Sequence, residues 1–305
     1  MVLHEGICLR AIAGGNHSEE IRYGRFLGNE RVTSERLIAG WSDQTRRAVC
    51  GRHVLAVQDT TEIKFATTPS TRRGLGKIKK GNAFGVLLHP LLAIDAQTGA
   101  CLGLCGGKVW TRSGDEKPPH AERALTQKES FRWVETPRQA VKEVLAEADM
   151  ITIVGDRESE FYAAWVGIPT GNVHLLTRAM QDHALFGGGT LFEAAARLSF
   201  VDTKLVELKA RADRPPREAK LCMRFGEAML KRPKNTNEEG LPESVRVNFV
   251  EVIEPFAADG EEAVHWLLLT THQVKSIADA WQIVAWYQKR WIIEQLFRVM
   301  KTQGL

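Results

Sequence analysis

Residues 151–156 read Ile-Thr-Ile-Val-Gly-Asp, a β-branched apolar run that ends on an aspartate. The same pattern occurs at residues 54–59, which read Val-Leu-Ala-Val-Gln-Asp. Short continuous apolar runs of this kind predict strands that are buried on both faces. Because buried strands must be covered by other elements, the two runs predict a sheet at the centre of the fold, with Asp59 and Asp156 at strand ends.

Strand and helix patterns alternate along the chain after residue 50. Residues 120–148 are charged and periodic in the manner of a helix, and Pro137 is expected to divide them into two helices. Residues 158–165 also have a helical pattern, and a long helix is expected to end the chain after a capping box at Ser276. This order predicts an α/β fold with a mixed sheet flanked by helices. Further strands are expected at residues 86–94, 102–110, 174–178 and 265–271.

Length and charge limit the function classes. The chain has 305 residues, 44% of them hydrophobic, which suffices for one large domain or two modest ones. The net charge of +4 names no partner, but basic residues are concentrated in two segments. Residues 204–234 carry ten Lys or Arg against four acids, and the segment from Arg72 to Lys80 carries five and no acid. Both segments suit a polyanion such as nucleic acid, and each alone is more simply a solvated loop.

The cysteines and the apolar runs weigh against several other classes. The five cysteines are odd in number and contain no CxxC pair, so we expect neither a zinc site nor a disulfide framework. The first twenty residues show no convincing secretory signal, and the longest apolar runs are too short to span a bilayer. These features predict a cytoplasmic protein without a membrane partner.

Four polar residues form a stripe on the last predicted helix. On one continuous helix, the side chains of Tyr287, Arg290, Glu294 and Lys301 fall within an arc of roughly 60°. Apolar residues occupy most of the remaining circumference, which is typical of a helix buried on several sides. Ionised Glu294 is costly to bury alone, so a cation must face it: Arg290 one turn earlier, a metal ion, or both. An ordinary ion pair between residues four apart is the simpler interpretation.

Three carboxylates could form one cluster. Asp59 and Asp156 lie at strand ends, where open α/β sheets place ligand chemistry, and Glu294 could join them from the last helix. Three hard oxygen ligands suit Mg²⁺ or Mn²⁺ and allow phosphodiester chemistry with two metal ions. An aspartate at a strand end is more often a cap or turn residue, so each carboxylate alone is weak evidence.

Three stretches together resemble the signature regions of a known family. They are VQDTTEI (residues 57–63), VGDRESEFY (residues 154–162) and YQKRWIIEQLFRVMK (residues 287–301). They are similar to those of the bacterial cut-and-paste DDE transposases of the insertion-sequence-four family, which includes the transposon-five transposase. The last stretch matches the family's Tyr-x-x-Arg-x-x-x-Glu-x-x-x-x-x-x-Lys pattern at all four positions. The resemblance covers about residues 20–305 and implies a ribonuclease-H-like mixed sheet with a β-rich insertion before the last helix.

The resemblance also implies a chemistry. It implies metal-dependent cleavage at transposon ends, a hairpin at the excised end, and transfer of the 3′ hydroxyl into target DNA. Asp59, Asp156 and Glu294 would be catalytic and would bind Mg²⁺ or Mn²⁺, with two ions expected. The implied partner is double-stranded DNA, and the implied location is the cytoplasm in association with the nucleoid.

Further matching residues are implied to contact DNA. Tyr287, Arg290 and Lys301 would grip phosphates near the scissile bond. Trp266 would stack on a base flipped out of the duplex, since an aromatic face offsets part of the unstacking cost. Arg178 would also contact DNA. The simpler interpretations are a core aromatic on a strand for Trp266 and a surface charge at a strand end for Arg178.

The resemblance divides the chain into parts. Residues 1–50 would be the remnant of a helical end-recognition domain, residues 51–200 and 264–305 the catalytic core, and residues 201–263 a basic β-rich insertion. Relatives continue into a helical C-terminal part that supports dimerisation, so the homodimer expected for synapsis would lack that region. The alternative function is a truncated, catalytically incompetent transposase that binds DNA or a full-length partner. A glycosidase that uses two of the carboxylates ranks far behind.

Overall fold

The computed structural model describes residues 8–65, 74–78, 83–112, 123–208, 216–234, 236, 240–257 and 263–303. Residues 72, 73, 79 and 80 of the basic segment from Arg72 to Lys80 lie outside the described residues. The strands are β1 (His53–Gln58), β2 (Thr61–Phe65), β3 (Gly76–Lys77), β4 (Phe84–Asp95), β5 (Cys101–Trp110), β6 (Met150–Val154), β7 (Val173–Arg178), β8 (Asp202–Leu208), β9 (Arg217–Lys231), β10 (Ser244–Ile253) and β11 (His265–Thr270). The helices are α1 (Leu9–Ile12), α2 (His17–Leu27), α3 (Ser34–Ala48), α4 (Arg132–Glu143), α5 (Tyr162–Gly167), α6 (Leu191–Ala196), α7 (Ile277–Gln288) and α8 (Trp291–Gln303).

The chain forms two compact units. The first contains Met1–Glu122, Glu135–Asp149 and Arg290–Leu305, and the second contains Arg123–Val134 and Met150–Lys289. The division of the chain into an end-recognition remnant, a catalytic core and an insertion stays a prediction.

In the first unit, β4 pairs antiparallel with four other strands. β1 and β2 follow one another along one edge of β4, and β5 and β3 take the opposite edge. Residues 54–58 of β1 are completely buried, as the apolar run predicts. Asp59 and Thr60 occupy the interruption between β1 and β2, opposite His89 and Pro90 of β4. The first unit therefore holds Asp59 at a defined place beside β4.

Helix α3 of the first unit packs against β5. The Thr33 side chain caps the helix by accepting a hydrogen bond from the backbone N–H of Arg36, which satisfies one of the free donors of the first turn. Farther along, the buried Thr45 hydroxyl donates to the carbonyl of Leu104 over 2.7 Å. A polar contact from the helix thus fixes its position on the sheet.

The second unit contains a large mixed sheet flanked by helices. Its strand order is β6-β7-β11-β10-β9-β8. β6 and β7 are parallel, and every following pair is antiparallel. The α/β class with a mixed sheet and flanking helices, predicted from the alternating patterns, is confirmed. The expected strands at residues 86–94, 102–110, 174–178 and 265–271 correspond to β4, β5, β7 and β11.

Two predictions about helices are wrong. Pro137 does not divide its segment, because α4 runs from Arg132 to Glu143 through it. A proline removes one backbone hydrogen bond, and this helix continues beyond that loss. Residues 158–165 are not one helix either: a 3₁₀ turn at Arg157–Ser159 precedes α5, and Glu160 between them has an extended conformation.

The predicted continuous terminal helix is also wrong, since it is two helices. α7 begins at the expected capping box of Ser276 and Asp279, but it ends at Gln288, and α8 begins at Trp291. The N–H of Lys289 bonds to the carbonyl of Trp286 over 3.1 Å, a tight bond of the kind that closes a helix. Residues 289 and 290 form a turn, so the geometry of one continuous stripe does not apply to Tyr287.

Within the described residues, we find no helix that combines the length and the apolar character needed to cross a membrane.

Candidate functional site

A buried hydrogen-bond network fixes the turn that carries Asp59. The imidazole of His89 on β4 contacts the Gln58 side-chain oxygen through Nε2 over 3.2 Å and the Thr60 hydroxyl through Nδ1 over 2.9 Å. A neutral ring that donates through Nε2 and accepts through Nδ1 satisfies both contacts. Oδ1 of Asp59 accepts a hydrogen bond from the backbone N–H of Thr60 over 2.7 Å. The other carboxylate oxygen, Oδ2, is therefore the one directed to a further partner.

That partner is Arg290, which joins two carboxylates. One guanidinium nitrogen, Nη1, donates to Oδ2 of Asp59 over 3.2 Å, and the other, Nη2, donates to Oε1 of Glu294 in a very short contact. The exposed fractions are 16% for Arg290, 16% for Asp59 and 31% for Glu294. The sequence predicts that a cation faces Glu294, either Arg290 or a metal ion. In the structure, Arg290 contacts it.

The charges of this group, which we call the Asp59–Arg290–Glu294 cluster, explain its geometry. Two carboxylates in one place repel each other, and a guanidinium between them offsets that repulsion with two charge-assisted hydrogen bonds. The formal charges of −2 and +1 leave the cluster at −1. Glu294 lies in the first turn of α8, where the helix dipole also favours a negative charge.

Lys301 lies on the same helix as Glu294, seven residues later, and its side chain is exposed. Two helical turns place it on the same face of α8 as Glu294. A cation at the last turn also complements the helix dipole. This lysine is available to solvent and to an anionic partner.

Asp156 belongs to the second unit and has a local structural role. Its Oδ1 accepts a hydrogen bond from the N–H of Glu158 over 2.8 Å and so caps the 3₁₀ turn that follows β6. The hydroxyl of Ser159 donates to the Asp156 carbonyl over 2.7 Å. A Cβ atom on Gly155 would lie 2.2 Å from the Ser159 hydroxyl oxygen, so the turn requires glycine there. The convergence of Asp156 with the other two carboxylates stays a prediction.

The chemistry of the Asp59–Arg290–Glu294 cluster fits a divalent cation. Both acidic side chains offer hard oxygen donors, the type that Mg²⁺ and Mn²⁺ prefer, and they already share one cation. Among the described residues, however, no group of three or more His, Cys, Asp or Glu side chains could hold a metal ion. Binding of a divalent ion and the identity of its ligands therefore stay proposals.

Two of the residues expected to contact DNA touch each other in the second unit. The rings of Trp266 on β11 and Tyr287 in the last turn of α7 meet edge to face, with centroids 5.7 Å apart. Tyr287 is 7% exposed, whereas the indole of Trp266 is half-buried. The tyrosine thus acts at least as a packing partner that holds the tryptophan in place.

Arg178 at the end of β7 is not a freely solvated charge. Its Nη2 donates to the backbone carbonyl of His265, the first residue of β11, over 2.6 Å. The side chain is half-buried. The arginine therefore ties together the ends of two adjacent strands, a contact that the sequence pattern did not reveal.

Sequence reasoning also missed Glu160, four residues after Asp156. Its buried carboxylate accepts hydrogen bonds from the N–H groups of Met180 at 2.7 Å and Gln181 at 3.3 Å, and it contacts His183 at 2.5 Å. These contacts join the segment after Asp156 to the loop that follows Arg178. The surrounding charged residues gave no signal, because Glu158 and Glu160 look alike in sequence, although only Glu160 is buried.

A second buried network lies beside β6. The rings of His174 and His272 stack with centroids 3.8 Å apart, and Nε2 of His272 contacts the Thr152 hydroxyl over 2.7 Å. Burial lowers the pKa of His174 below its ordinary value of 6.5, against a smaller opposing effect of a hydrogen bond with Thr271. The strand that leads to Asp156 is thus held by the His272 imidazole, against which His174 stacks.

Ion pairs within the second unit use part of the charge of the basic segment 204–234. Arg217 pairs with Glu254, and Arg224 pairs with Glu251, which also contacts His265. Burial acts to raise the pKa of Glu251, but hydrogen bonds from His265 and Arg224 outweigh it and lower the pKa. Three exposed cations at the tip of the β9–β10 hairpin border a cavity of about 530 Å³, and they are Lys231, Arg232 and Lys234.

Comparison with known proteins finds similarity to solved structures and not to a family model. No family model matches the chain. A solved structure of the piggyBac transposase, in a synaptic complex with hairpin DNA, is similar to this chain with a TM-score of 0.39 and 9% sequence identity. The match covers 85% of this chain and 43% of the piggyBac chain, so this chain spans less than half the length of that protein.

Proposed function

We propose that this chain is a metal-dependent DDE transposase of the insertion-sequence-four type, built on a ribonuclease-H-like core. The observation that carries the proposal is the Asp59–Arg290–Glu294 cluster. The aspartate of the first signature stretch and the Arg-x-x-x-Glu of the last one are distant in sequence, yet they meet side chain to side chain. This contact between two of the motifs that carry the resemblance supports the proposal.

In this proposal, Asp59, Asp156 and Glu294 hold two Mg²⁺ or Mn²⁺ ions. The chemistry that such ions would supply there is Lewis-acid assistance to the attacking and leaving oxygens of a phosphodiester displacement. The protein's part is orientation. The Thr60 N–H and the buried His89 network fix Asp59, and the first turn of α8 fixes Glu294. Fixed carboxylates lower the cost of reorganisation during the reaction.

The proposed substrate is double-stranded DNA. Tyr287, Arg290 and Lys301 would bind phosphates near the scissile bond, and Arg178 would add a contact from the second unit. Trp266 would stack on a flipped base, and its edge-to-face contact with Tyr287 holds the indole in a preset orientation. The exposed cations at the β9–β10 tip support binding to a polyanion. A homodimer is proposed for synapsis of two transposon ends, and the cell nucleoid is the proposed location.

A second candidate function is DNA binding without cutting, either alone or with a catalytically active transposase as partner. The specific observation in its favour is that Arg290 already neutralises part of the charge of both carboxylates in the first unit. A protein of this kind would damp transposition by occupying DNA ends or the partner. The basic surface would serve both functions equally.

The test is nicking of a supercoiled plasmid that carries the DNA flanking this coding sequence. We expect nicks only with Mg²⁺ or Mn²⁺, and we expect Asp59→Asn, Asp156→Asn and Glu294→Gln each to abolish them. Asp43→Asn, which alters an exposed carboxylate on α3, is the matched control and should nick normally. Nicking that needs no divalent metal would contradict the proposal, and binding without nicking would favour the second candidate.

A further inference from the structure

The Asp59–Arg290–Glu294 cluster contains a cation supplied by the protein itself. The two guanidinium nitrogens contact one oxygen of each carboxylate, and the second Asp59 oxygen is taken by the Thr60 N–H. Arg290 is the last residue before α8, and it is followed one turn later by its partner Glu294. The arginine therefore lies between the donor oxygens of the pair.

We propose that Arg290 is a built-in counter-ion of the Asp59–Glu294 pair, and that a divalent ion binds to this pair only when the guanidinium moves aside. This inference rests on the proposed function, which supplies the ion. Arg290 thus sets the affinity of the site for metal: it stabilises the carboxylate pair when no ion is bound and competes with the ion for the same oxygens.

Charge and geometry together require this competition. A divalent ion bound to both carboxylates beside the guanidinium would bring +3 of positive charge against −2. A divalent ion also needs direct contact with the oxygens, because Mg²⁺ coordinates oxygen at roughly 2.0–2.1 Å. The facing oxygens, Oδ2 of Asp59 and Oε1 of Glu294, are the ones that bond to Arg290. The guanidinium and the ion therefore compete for these two oxygens.

The displaced guanidinium becomes available for another anion. Arg290 has a flexible stem and a planar fork of donors that matches a phosphate group. A DNA phosphate beside the site would therefore hold the arginine away from the carboxylates. By linkage, phosphate binding then raises the affinity for metal, and metal raises the affinity for phosphate, by the same factor. The site would assemble fully only when DNA and metal are both present.

The test measures Mn²⁺ binding to the full chain in the absence of DNA, by electron paramagnetic resonance of the free ion. We compare the wild type with Arg290→Gln, which removes the charge, and with Arg298→Gln, which removes an exposed arginine from the same helix. Arg290→Gln should bind Mn²⁺ at least about tenfold more tightly, within the usual range of coupling between sites. Arg298 lies one turn after Glu294, but its exposed side chain bonds to neither carboxylate, so Arg298→Gln should stay within about twofold of the wild type.

Thermal unfolding gives a second readout that does not depend on activity. In EDTA, Arg290→Gln should melt below the wild type, because two carboxylates lose their shared cation. Mn²⁺ should raise its melting temperature more than that of the wild type, since at a given ion concentration the variant that binds the ion more tightly is stabilised more. If Arg290→Gln does not fold, Arg290→Lys serves instead. An ammonium lacks the planar fork with which arginine places one nitrogen against each carboxylate and holds the pair less firmly, so this variant should also bind Mn²⁺ more tightly than the wild type.

The outcomes separate this inference from the proposed function. Equal or weaker Mn²⁺ binding by Arg290→Gln, or by Arg290→Lys in its place, overturns the counter-ion role. If metal-dependent nicking is still lost in Asp59→Asn, the proposed function survives that result. If neither the wild type nor the Arg290 variants bind Mn²⁺, and no protein nicks DNA, both proposals fall.

Discussion

The turns after β1 and after β6 begin from the same sequence pattern and end in different structures. After β1, Asp59 is followed by a second strand on the same edge of β4, and its carboxylate faces Arg290. After β6, Asp156 is followed by a 3₁₀ turn, and its carboxylate caps that turn. One aspartate is thus engaged in a long-range contact and the other in a local contact.

The difference arises from the residues that surround each aspartate. Thr60 and Thr61 favour an extended chain because they are β-branched, so the strand resumes as β2. Gly155 has no Cβ, so Ser159 can fold back onto the turn at Asp156. Two apolar runs that end on aspartate are therefore equivalent in sequence without being equivalent in structure.

The largest expected effect is on catalysis. If Asp59 and Asp156 are both metal ligands, then Asp59→Asn and Asp156→Asn should each slow metal-dependent nicking by at least about a thousandfold, as is usual when a member of a catalytic unit is removed. The measurement is the nicking rate under single-turnover conditions. Near-normal nicking by Asp156→Asn would show that Asp156 only caps its turn and does not take part in catalysis. The two turns would then differ in function as they do in structure.

A steric substitution should break only the second turn. In Gly155→Ala, the new Cβ would lie 2.2 Å from the hydroxyl oxygen and 2.7 Å from the Cβ of Ser159. We expect a loss of about 1–3 kcal/mol in the free energy of unfolding, measured by urea denaturation, because the turn must shift. Gly24→Ala in α2 is the control, since nothing lies within 4 Å and alanine favours a helix. An unchanged free energy of unfolding for Gly155→Ala would show that the turn can shift at little cost and does not require glycine.

Removing one hydrogen bond from each turn should have similar, smaller effects. Thr60→Val removes the hydroxyl that contacts His89, and Ser159→Ala removes the donor to the Asp156 carbonyl. Each should cost about 0.5–1.5 kcal/mol of unfolding free energy in the same denaturation assay. A loss beyond about 3 kcal/mol in either variant would mean that the hydroxyl supports more than its own turn.

The smallest expected effect is a pH dependence of the second unit. Because the folded-state pKa of His174 lies below its ordinary value of 6.5, the unfolded chain binds more protons there. The contribution of this residue to stability is therefore complete above pH 6.5 and is lost as the pH falls through the folded-state pKa. Urea denaturation should show that the free energy of unfolding decreases as the pH is lowered from 7.5 to 5.5. The decrease should be smaller in His174→Gln. An unchanged slope in that variant would assign the pH dependence to other groups.

Several features of the fold were readable because they depend on local pattern. The apolar runs predicted β1 and β6, and Ser276 with Asp279 predicted the start of α7. β2 was not predicted, because its alternation of Glu62 and Lys64 with apolar residues, although typical of a strand, covers only five residues, and pairing with β4 stabilises it. The break before α8 was also missed, since neither glycine nor proline marks it.

By itself, the sequence determined the α/β class and placed three acids in motifs that resemble one enzyme family. Both results depend on local properties, namely the spacing of apolar residues along each segment and the spacing of residues within each motif. The sequence also allowed Arg290 to face Glu294, because residues four apart on a helix are neighbours. Only the tertiary structure decided that Arg290 reaches Asp59 as well, and that Asp156 caps its own turn. Such contacts depend on which segments the folded core brings together. The free energy of that packing depends on many segments at once and cannot be inferred from any one of them.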